Sequence, residues 1–377
     1  MAAKVPLNDV SRLSRAHATS LCEAAADVVR SGCFVLGPAV ARFERAFADY
    51  CGTSHCIGVG NGTDALELAL RALGVRPGQP VLVTANAAMY ATTAVLAIGA
   101  YPHFMDVDPV YGLNDADGLQ AALDQCDMTP AAMVVTHLYG RLATSPALLA
   151  LAQSRGIPVV EDCAQAHGAR DGSGRRAGSF GSIAAFSFYP TKNLGALGDG
   201  GAVVTDHDGL AANVRRLRQY GWGEKYTNVL AGGRNSRLDE LQAAFLCTLL
   251  PLLDTRNDRR RAIANRYSRE IRNAAISVPP QADVEYVAHL YVVQCEDRDG
   301  LRAHLHGRGI ACDVHYPVAD HRQPVHGARY SHVRLPVTES LSRRVLSIPC
   351  FPELTDDEVA RVISACNDFT ARLPTAR

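Results

Sequence analysis

Short apolar runs alternate with segments of helical spacing between residues 55 and 205 of the chain. This alternation predicts an α/β fold in which a mostly parallel central sheet is flanked by helices. The predicted strands span residues 55–60, 81–84, 102–107, 133–137, 158–162, 184–188 and 201–205. The predicted helices between them span residues 64–73, 89–98, 118–125 and 146–154.

The remaining pattern predicts a second domain. A helical pattern over residues 239–266, interrupted at Pro251, leads to a region whose segments 291–295, 301–309, 311–316 and 356–370 suggest a compact α+β unit. The 377 residues also exceed the roughly 250 to 300 residues at which a single hydrophobic core stops growing. We therefore predict a large α/β domain over residues 1–250 and a smaller C-terminal α+β domain over residues 251–377.

Composition narrows the classes of function. The 38 basic and 38 acidic side chains give a net charge of zero, so no basic surface for nucleic acid or anionic lipid is indicated. The amino terminus has no apolar signal core, and no stretch reaches the roughly 18 to 20 apolar residues that span a bilayer, so we expect a cytoplasmic enzyme acting on small molecules. The 11 cysteines include no Cys-x-x-Cys pair, so we predict neither a disulfide framework nor a metal site.

Candidate functional residues follow three of the predicted strands. In α/β sheets such groups lie just beyond the carboxyl ends of strands, and the polar clusters at residues 61–63, 161–162 and 187–192 occupy such places. Lys192 is the first candidate for covalent catalysis, because the chain has only three lysines and an arginine cannot lose its proton to attack a carbonyl. A solvated loop lysine is the alternative.

A glycine-rich turn and a buried aspartate are two further features of the kind of site that Lys192 suggests. The turn from Gly58 to Asp64 runs from a strand into a helix, whose free amides and positive end can hold a phosphate together with the hydroxyl of Ser187. Helix capping by Thr63 or Asp64 is the alternative. Asp162 follows an apolar run, and a buried carboxylate needs a partner such as a protonated heteroaromatic nitrogen, or else an ordinary ion pair. The ordered set of turn, aspartate and lysine describes a pyridoxal 5′-phosphate site.

Over nearly its whole length the sequence resembles the DegT/DnrJ/EryC1/StrS sugar aminotransferases, which have the aspartate aminotransferase fold, fold type I. The most specific segments are Gly60-Asn-Gly-Thr-Asp-Ala-Leu, Val159-Val-Glu-Asp-Cys-Ala-Gln-Ala-His-Gly, Phe186-Ser-Phe-Tyr-Pro-Thr-Lys-Asn-Leu-Gly, Gly233-Arg-Asn-Ser-Arg-Leu-Asp-Glu and Val314-His-Tyr-Pro. By this resemblance, Lys192 would bind pyridoxal 5′-phosphate as an internal aldimine, Asp162 would pair with the pyridine nitrogen and Gln165 would bind the phenolic oxygen. Four residues would hold the phosphate, the last from the partner subunit of a homodimer with a shared active site: Gly62, Thr63, Ser187 and Asn235.

The resemblance also implies a substrate. The motif around Lys192 is similar to the branch that acts on 3-keto sugar nucleotides, whereas the 4-keto branch more often has a histidine in place of Tyr189. L-glutamate would donate the amino group, through pyridoxamine 5′-phosphate, to a 3-keto-deoxysugar on a nucleoside diphosphate such as dTDP. Tyr189, His315 and Tyr316 would line the sugar pocket, and Lys225 would meet the diphosphate. For His315 and Tyr316 plain packing is the alternative, and for Lys225 an exposed ion pair.

Three other functions stay open: a 4-keto sugar aminotransferase, a sugar dehydratase and a non-catalytic regulatory protein. Dehydratase relatives carry a histidine in place of the lysine, so Lys192 argues against that function. The chain also departs from the family pattern where an aromatic ring usually stacks on the cofactor. Ala88 occupies the best-matching position, and Met89 or Tyr90 could cover the cofactor ring instead.

Overall fold

The centre of the large region is a seven-stranded sheet. The computed structural model describes residues 4–371, so residues 1–3 and 372–377, at the outer ends of the two predicted domains, lie outside the described residues. The strands of the sheet are β1 (His55–Val59), β2 (Pro80–Thr84), β3 (Tyr101–Met105), β4 (Ala132–Thr136), β5 (Val159–Asp162), β6 (Ile183–Ser187) and β7 (Gly201–Thr205). All seven predicted strands are present, with boundaries within two residues of those predicted.

The strand order in the sheet is β1-β7-β6-β5-β4-β2-β3. The five strands from β2 to β6 pair in parallel, whereas β7 runs antiparallel to both of its neighbours, β1 and β6. The prediction of a mostly parallel sheet is therefore confirmed. Because β4, β5 and β6 are adjacent and parallel, their carboxyl ends meet at one edge of the sheet, where functional groups usually lie.

Helices cover both faces of this sheet, and further helices belong to the C-terminal region. In chain order the helices are α1 (Val10–Ala16), α2 (Ala18–Ser31), α3 (Pro38–Cys51), α4 (Gly62–Ala72), α5 (Tyr90–Ala97), α6 (Ala116–Asp124), α7 (Pro146–Ser154), α8 (Asp208–Leu217), α9 (Glu240–Leu249), α10 (Leu253–Glu270), α11 (Arg298–Gly307), α12 (Pro336–Arg344) and α13 (Asp356–Asn367). The four helices predicted between strands correspond to α4, α5, α6 and α7.

Side chains along β6 alternate between the two hydrophobic cores on either side of the sheet. Ala184 and Phe186 point to one face, where Phe186 packs edge-on against Phe47 of α3 with ring centroids 4.9 Å apart. Ile183 and Ala185 point to the other face, into the core that contains α4, α5 and α8. The strand is buried on both sides, which explains why its sequence is a continuous apolar run.

The predicted long helix is broken where the sequence indicated. Helix α9 ends at Leu249, residues Leu250–Leu252 form a 3₁₀ turn around Pro251, and α10 then continues to Glu270. Proline lacks the N–H that an uninterrupted helix needs, so the interruption follows from its chemistry. Residues of α10 such as Ile263 and Tyr267 already belong to the C-terminal core.

The C-terminal region contains a two-stranded antiparallel sheet of β10 (Tyr291–Gln294) and β11 (Val345–Ile348), packed with α11 and α13. A separate hairpin of β8 (Trp222–Glu224) and β9 (Thr227–Asn228) projects from the large region. Residues 311–316 form no strand and contribute only an isolated bridge from Asp313 to Ser347. Val5, near the amino terminus, also lies in the C-terminal core, so the boundary at residues 250 and 251 stays a prediction.

Within residues 4–371, none of the helices is both long enough and apolar enough to cross a membrane.

Candidate active site

One cavity of about 560 Å³ lies at the carboxyl ends of the central strands. Its volume is within the usual range for small-molecule sites. Nine of the sequence-predicted site residues line it: Gly62, Thr63, Asp162, Gln165, Ser187, Tyr189, Lys192, His315 and Tyr316. The structure therefore brings together residues from four separate segments of the chain. The two remaining residues, Lys225 and Asn235, lie outside this cavity.

Three adjacent elements position the core of the site. Asp162 is the last residue of β5 and Ser187 is the last residue of β6, its neighbour in the sheet. Gly62 begins α4, which packs against β6. The N-cap of α4 is Asn61, whose side chain accepts a hydrogen bond from the N–H of Asp64 at 2.8 Å, so the alternative of capping by Thr63 or Asp64 is wrong.

The start of α4 forms a close-fitting cradle. A Cβ atom on Gly62 would lie 2.5 Å from the Cβ of Ser187, so only glycine allows the turn to approach β6 this closely. The N–H groups of Gly62 and Thr63 are in the first turn and have no carbonyl partner within the helix. These amides, the helix N-terminus and the Ser187 hydroxyl can together hold a phosphate.

Lys192 and Asp162 are electrostatically coupled within the cavity. Burial lowers the pKa of Lys192 to about 8, and the negative charge of Asp162 opposes that change. Burial also raises the pKa of Asp162, opposed first by the hydrogen bond from the N–H of Ala164 at 3.1 Å and then by Lys192. A lysine with a lowered pKa is available as a nucleophile near neutral pH, and the buried carboxylate can pair with a cationic ring nitrogen.

Gln165 is held at both ends of its amide. Its Oε1 accepts a hydrogen bond from the N–H of Tyr139 at 2.6 Å, so its Nε2 must be the donor to the hydroxyl of Tyr316 at 3.1 Å. The hydroxyl of Tyr139 in turn donates to the carbonyl of His315 at 2.5 Å. The donor end of Gln165 therefore points at the cavity wall formed by His315 and Tyr316, where it could also meet a phenolic oxygen.

His315 is fixed at the C-terminal wall of the cavity. Its Nδ1 lies 2.8 Å from the hydroxyl of Ser347 on β11, and burial lowers the pKa of the ring. Tyr316 packs edge-on against Tyr90 with ring centroids 6.5 Å apart, and burial raises the pKa of its hydroxyl. Both residues line the cavity as predicted, and both are neutral near pH 7.

Sequence reasoning missed a buried polar chain behind Lys192. The side chain of Asn193 accepts a hydrogen bond from Nδ1 of His289 at 3.0 Å and donates to Oδ1 of Asn257 at 2.8 Å and to the carbonyl of Val287 at 3.1 Å. Asn257 then donates to the carbonyl of His167 at 2.8 Å. The available signal was the presence of single polar residues, Asn193 and His289 among them, in segments whose apolar sequence predicts burial.

Glu161, beside Asp162, has a different environment. It is fully buried, lies 2.9 Å from Nε2 of His137, and accepts backbone N–H groups of Gly178, Phe180 and Gly181 at 2.7 to 2.9 Å. Every lone pair it offers is engaged by the protein itself, which makes Glu161 a structural residue. The side chains of His137, Glu161 and Cys163 lie within 4.8 Å of one another, close enough for a metal site. The carboxylate of Glu161 is not free to bind a metal, because its oxygens already accept these hydrogen bonds.

Ala88 occupies the position expected to carry an aromatic ring and lies in a short turn. Ala87 and Tyr90 line the cavity, whereas Ala88 and Met89 between them do not. Tyr90 is 51% exposed, so the cavity wall that it forms is in contact with solvent. Of the two residues named as possible covers for the cofactor ring, only Tyr90 faces the cavity.

Lys225 and Asn235 lie on the surface of the described chain. Lys225 is in the β8–β9 hairpin, with Nζ 5.0 Å from the ring centroid of Tyr226, and Asn235 bridges Gln219 through its backbone. Neither residue lines the cavity within the single described chain. Their roles stay predictions.

The residues present fit pyridoxal 5′-phosphate. The start of α4 packs too closely on Ser187 for a side chain at Gly62 and lines the cavity, Asp162 offers a carboxylate, and Lys192 offers an amine of lowered pKa. Gln165 supplies a donor for a phenolic oxygen. These groups lie around a single cavity large enough for the cofactor and part of a substrate.

Comparison with known proteins identifies relatives along almost the whole chain. The sequence profile of the DegT/DnrJ/EryC1/StrS aminotransferase family matches residues 16–367. The dTDP-3-amino-3,4,6-trideoxy-alpha-D-glucose transaminase of Streptomyces venezuelae is 43% identical over 378 residues, covering 99% of this chain and 98% of that protein. The UDP-N-acetyl-3-dehydro-alpha-D-glucosamine 3-aminotranferase of Acidithiobacillus ferrooxidans is 42% identical over 333 residues, covering 87% of this chain and 88% of that protein.

A solved structure agrees with this match. The X-ray crystal structure of S. venezuelae DesV in complex with ketimine intermediate superposes with a TM-score of 0.92 at 42% sequence identity, covering 99% of this chain and 100% of that chain. The predicted aspartate-aminotransferase-like fold, fold type I, and the resemblance from which it was inferred are both confirmed.

Proposed function

The chain belongs to the DegT/DnrJ/EryC1/StrS aminotransferase family, and we propose that it transfers an amino group from L-glutamate to a 3-keto-deoxysugar carried on a nucleoside diphosphate, in particular dTDP. The observation that carries the proposal is the coupling of Lys192 to Asp162 in one cavity with the Gly62 cradle. The choice of carbon and nucleotide is supported by the 43% identity to a dTDP-3-amino-3,4,6-trideoxy-alpha-D-glucose transaminase.

The cofactor of this reaction is pyridoxal 5′-phosphate, with pyridoxamine 5′-phosphate as its alternate form. When bound, it supplies an aldehyde that joins amines and a ring that withdraws electrons from the bond being broken. Gly62, Thr63 and Ser187 would hold its phosphate, and Asp162 would keep its ring nitrogen protonated. Lys192 would hold its aldehyde end.

Lys192 is also suited to move the proton that transamination relocates. Its amine has a pKa lowered to about 8 by burial, so near neutral pH it can both accept and return a proton. Gln165 would orient the phenolic oxygen, with its amide fixed by the N–H of Tyr139. Tyr189, His315 and Tyr316 would contact the sugar within the cavity, and Lys225 would meet the diphosphate.

We also propose that the enzyme is a cytoplasmic homodimer whose two active sites are shared. An apolar surface beside the Lys192 loop is exposed in the single chain, with Phe34 at 56%, Val35 at 45%, Leu197 at 46% and Leu241 at 36%. The carbonyl of Phe34 accepts a hydrogen bond from the N–H of Glu240, and the N–H of Leu197 donates to the side chain of Gln242. Since Glu240 and Gln242 flank Leu241 on α9, these contacts join the four residues into one surface. Exposed patches of this kind mark protein interfaces.

The dimer is tested by light scattering on the purified holoenzyme. A mass of two chains is expected, and Leu241→Glu should shift the population toward single chains because it places a charge in the apolar interface. The exposed helical residue Val29 lies on α2, so Val29→Glu is the matched control. A wild-type protein that is a single chain at micromolar concentration would overturn the proposal of a shared site.

The reaction is tested by direct assay of the purified holoenzyme. Incubation with a dTDP-3-keto-6-deoxysugar and L-glutamate should give 2-oxoglutarate and an amino sugar, with the nitrogen placed at C3 by proton NMR. The UDP and 4-keto counterparts are run in parallel, and parallel initial-velocity lines are expected for alternating half-reactions. Nitrogen at C4 would replace the proposed regiochemistry, and a bound cofactor without turnover on any of these sugars would favour a regulatory role.

A further inference from the structure

Asp320 lies beneath the turn that forms one wall of the active-site cavity. It comes four residues after Tyr316 and is only 1% exposed. One carboxylate oxygen accepts a hydrogen bond from the N–H of Met89 at 2.9 Å, and the other accepts from the hydroxyl of Thr92 at 2.7 Å. Its own N–H donates to the carbonyl of Ala85 at 2.7 Å. Three hydrogen bonds thus join Asp320 to the segment 85–92.

The segment that Asp320 contacts has an unusual backbone. Ala88 has a φ of 57° and Met89 a φ of 67°, so two consecutive residues other than glycine adopt the left-handed conformation. The Cβ atom of an L-residue is crowded in this conformation, which is therefore maintained only where surrounding contacts impose it. We refer to these two residues as the Ala88–Met89 turn. It separates Ala87 and Tyr90, the two residues of the segment that line the cavity.

Helix α5 begins directly after this turn and has no cap of its own. Its N-cap residue is Met89, whose side chain cannot accept a hydrogen bond from the first helical turn. A carboxylate at a helix N-terminus is stabilising, both as an acceptor for free N–H groups and through the helix dipole. Asp320 supplies this carboxylate from a distant part of the sequence.

We propose that Asp320 is a positioning residue of the active site: its carboxylate caps α5 across the fold and holds the Ala88–Met89 turn in its left-handed conformation, which places Ala87 and Tyr90 against the cofactor cavity. Because the same segment of chain carries Tyr316, the clamp also fixes the spacing between Tyr90 and Tyr316. The two rings meet edge-on at 6.5 Å between centroids, and both line the cavity.

The hydrogen bonds of Asp320 form this wall without the aromatic residue expected near Ala88. A small residue at position 88 contributes little contact of its own, so the conformation of the turn depends on the groups that bind its backbone and flank it. Among the described residues, Asp320 is the side chain that donates or accepts hydrogen bonds with both Met89 and Thr92. Removal of its carboxylate should therefore release the turn.

The test measures binding of pyridoxal 5′-phosphate to the full-length apoenzyme and the thermal unfolding of the apoenzyme, both in the absence of a sugar nucleotide. Asp320→Ala should weaken cofactor binding about tenfold, which corresponds to about 1.4 kcal/mol. Asp320→Asn keeps an acceptor for the N–H of Met89 and should stay within about twofold of wild type. The inference rests on the proposed function only through the cofactor, so an error in the proposed sugar leaves this test unchanged.

A glycine substitution distinguishes positioning of the turn from general stability. In the Asp320→Ala background, Ala88→Gly should recover most of the lost cofactor affinity, because glycine adopts the left-handed conformation without a clamp. Ala97→Gly is the matched control, since Ala97 is an exposed residue within α5 where glycine only weakens the helix. Should Asp320→Ala fail to fold, Thr92→Val removes one of the two carboxylate hydrogen bonds and should weaken binding about threefold.

Two results would overturn the proposal. One is an Asp320→Ala apoenzyme that unfolds at lower temperature but binds the cofactor as tightly as wild type, which would make Asp320 a structural residue only. The other is equal recovery of affinity by Ala88→Gly and Ala97→Gly, which would mean that the conformation of the Ala88–Met89 turn is not what Asp320 maintains.

Discussion

Nδ1 of His289 donates a hydrogen bond to Oδ1 of Asn193, the residue that follows Lys192, across 3.0 Å. The direction is fixed because the amide nitrogen of Asn193 is already the donor to Asn257 and to the carbonyl of Val287. His289 is therefore the tautomer with its proton on Nδ1, and burial together with the charge of Lys192 keeps its pKa well below the usual value. Its other nitrogen, Nε2, presents a lone pair, and the residue lines the cavity.

Two substitutions of His289 should distinguish the role of Nδ1 from that of Nε2. The side-chain nitrogen of asparagine can take the place of Nδ1, so His289→Asn should keep the bond to Asn193 and lose only the acceptor in the cavity. His289→Gln reaches the position of Nε2 but leaves Oδ1 of Asn193 buried without a donor, which costs about 1 to 3 kcal/mol. Thermal unfolding should therefore occur at lower temperature for His289→Gln than for His289→Asn. Equal stability of the two variants would contradict the assigned tautomer.

Lys192→Arg should abolish transamination although it keeps a positive charge. A guanidinium stays protonated and cannot add to an aldehyde, so turnover should fall below about 1% of wild type. The visible absorbance of lysine-bound cofactor should be lost as well. Lys4→Arg is the matched control, because Lys4 is exposed and lies outside the cavity, and it should behave as wild type. Substantial turnover by Lys192→Arg would refute the assignment of Lys192.

Asp162→Asn should impair catalysis, whereas the neighbouring Glu161→Gln should impair stability. Asp162→Asn removes the charge that would pair with the cofactor ring and should lower kcat about 100-fold or more. Its stability should be retained, because burial already disfavours the ionised form of Asp162. Glu161→Gln should instead lower stability, since Glu161 binds His137 and three backbone N–H groups. Circular dichroism on heating, together with kcat of the complete reaction, separates the two effects.

Most of the large region and the centre of the site could be predicted from the sequence for a physical reason. Strands buried on both faces give unbroken apolar runs, and residues such as Asp162 and Ser187 stand where those runs end. In the structure β5 and β6 are parallel neighbours, which brings these two side chains together at one edge of the sheet. Local pattern and topology agree in this part of the chain, and the predicted sheet is confirmed.

Contacts between residues far apart in sequence could not be predicted in this way. Val345–Ile348 is a strand only because β10 lies beside it, and its four residues follow a helix without a turn signal. Asp320 and His289 look like ordinary loop residues in the sequence, since nothing local indicates that Met89 or Asn193 is their partner. Their roles depend on tertiary burial, which raises the cost of an unpaired polar group.

Asp320 should also give the folded enzyme a distinctive dependence of stability on pH. Burial raises the pKa of Asp320 from 3.8 to about 7, against the opposing effect of the hydrogen bonds from Thr92 and Met89. In the unfolded chain the carboxyl group releases its proton near pH 4. Between about pH 4 and pH 7 the folded state therefore binds more protons than the unfolded state, and the free energy of unfolding falls as pH rises, by at most about 1.4 kcal/mol per pH unit.

Asp320→Asn cannot titrate, so it isolates this contribution. The difference in unfolding free energy between wild type and Asp320→Asn should favour wild type least above pH 7 and progressively more as pH falls toward 4. Among residues 4–371, the titratable groups coupled to Asp320 are Tyr316, which interacts with its charge and has a pKa raised by burial, and His326, which is hydrogen-bonded to its backbone and has a pKa lowered by burial. Both groups are present in the two proteins. Denaturant unfolding of the two apoenzymes from pH 4 to pH 8 gives the difference directly. A difference that stays constant across this range would show that the carboxyl group of Asp320 titrates at its ordinary pKa in the folded enzyme.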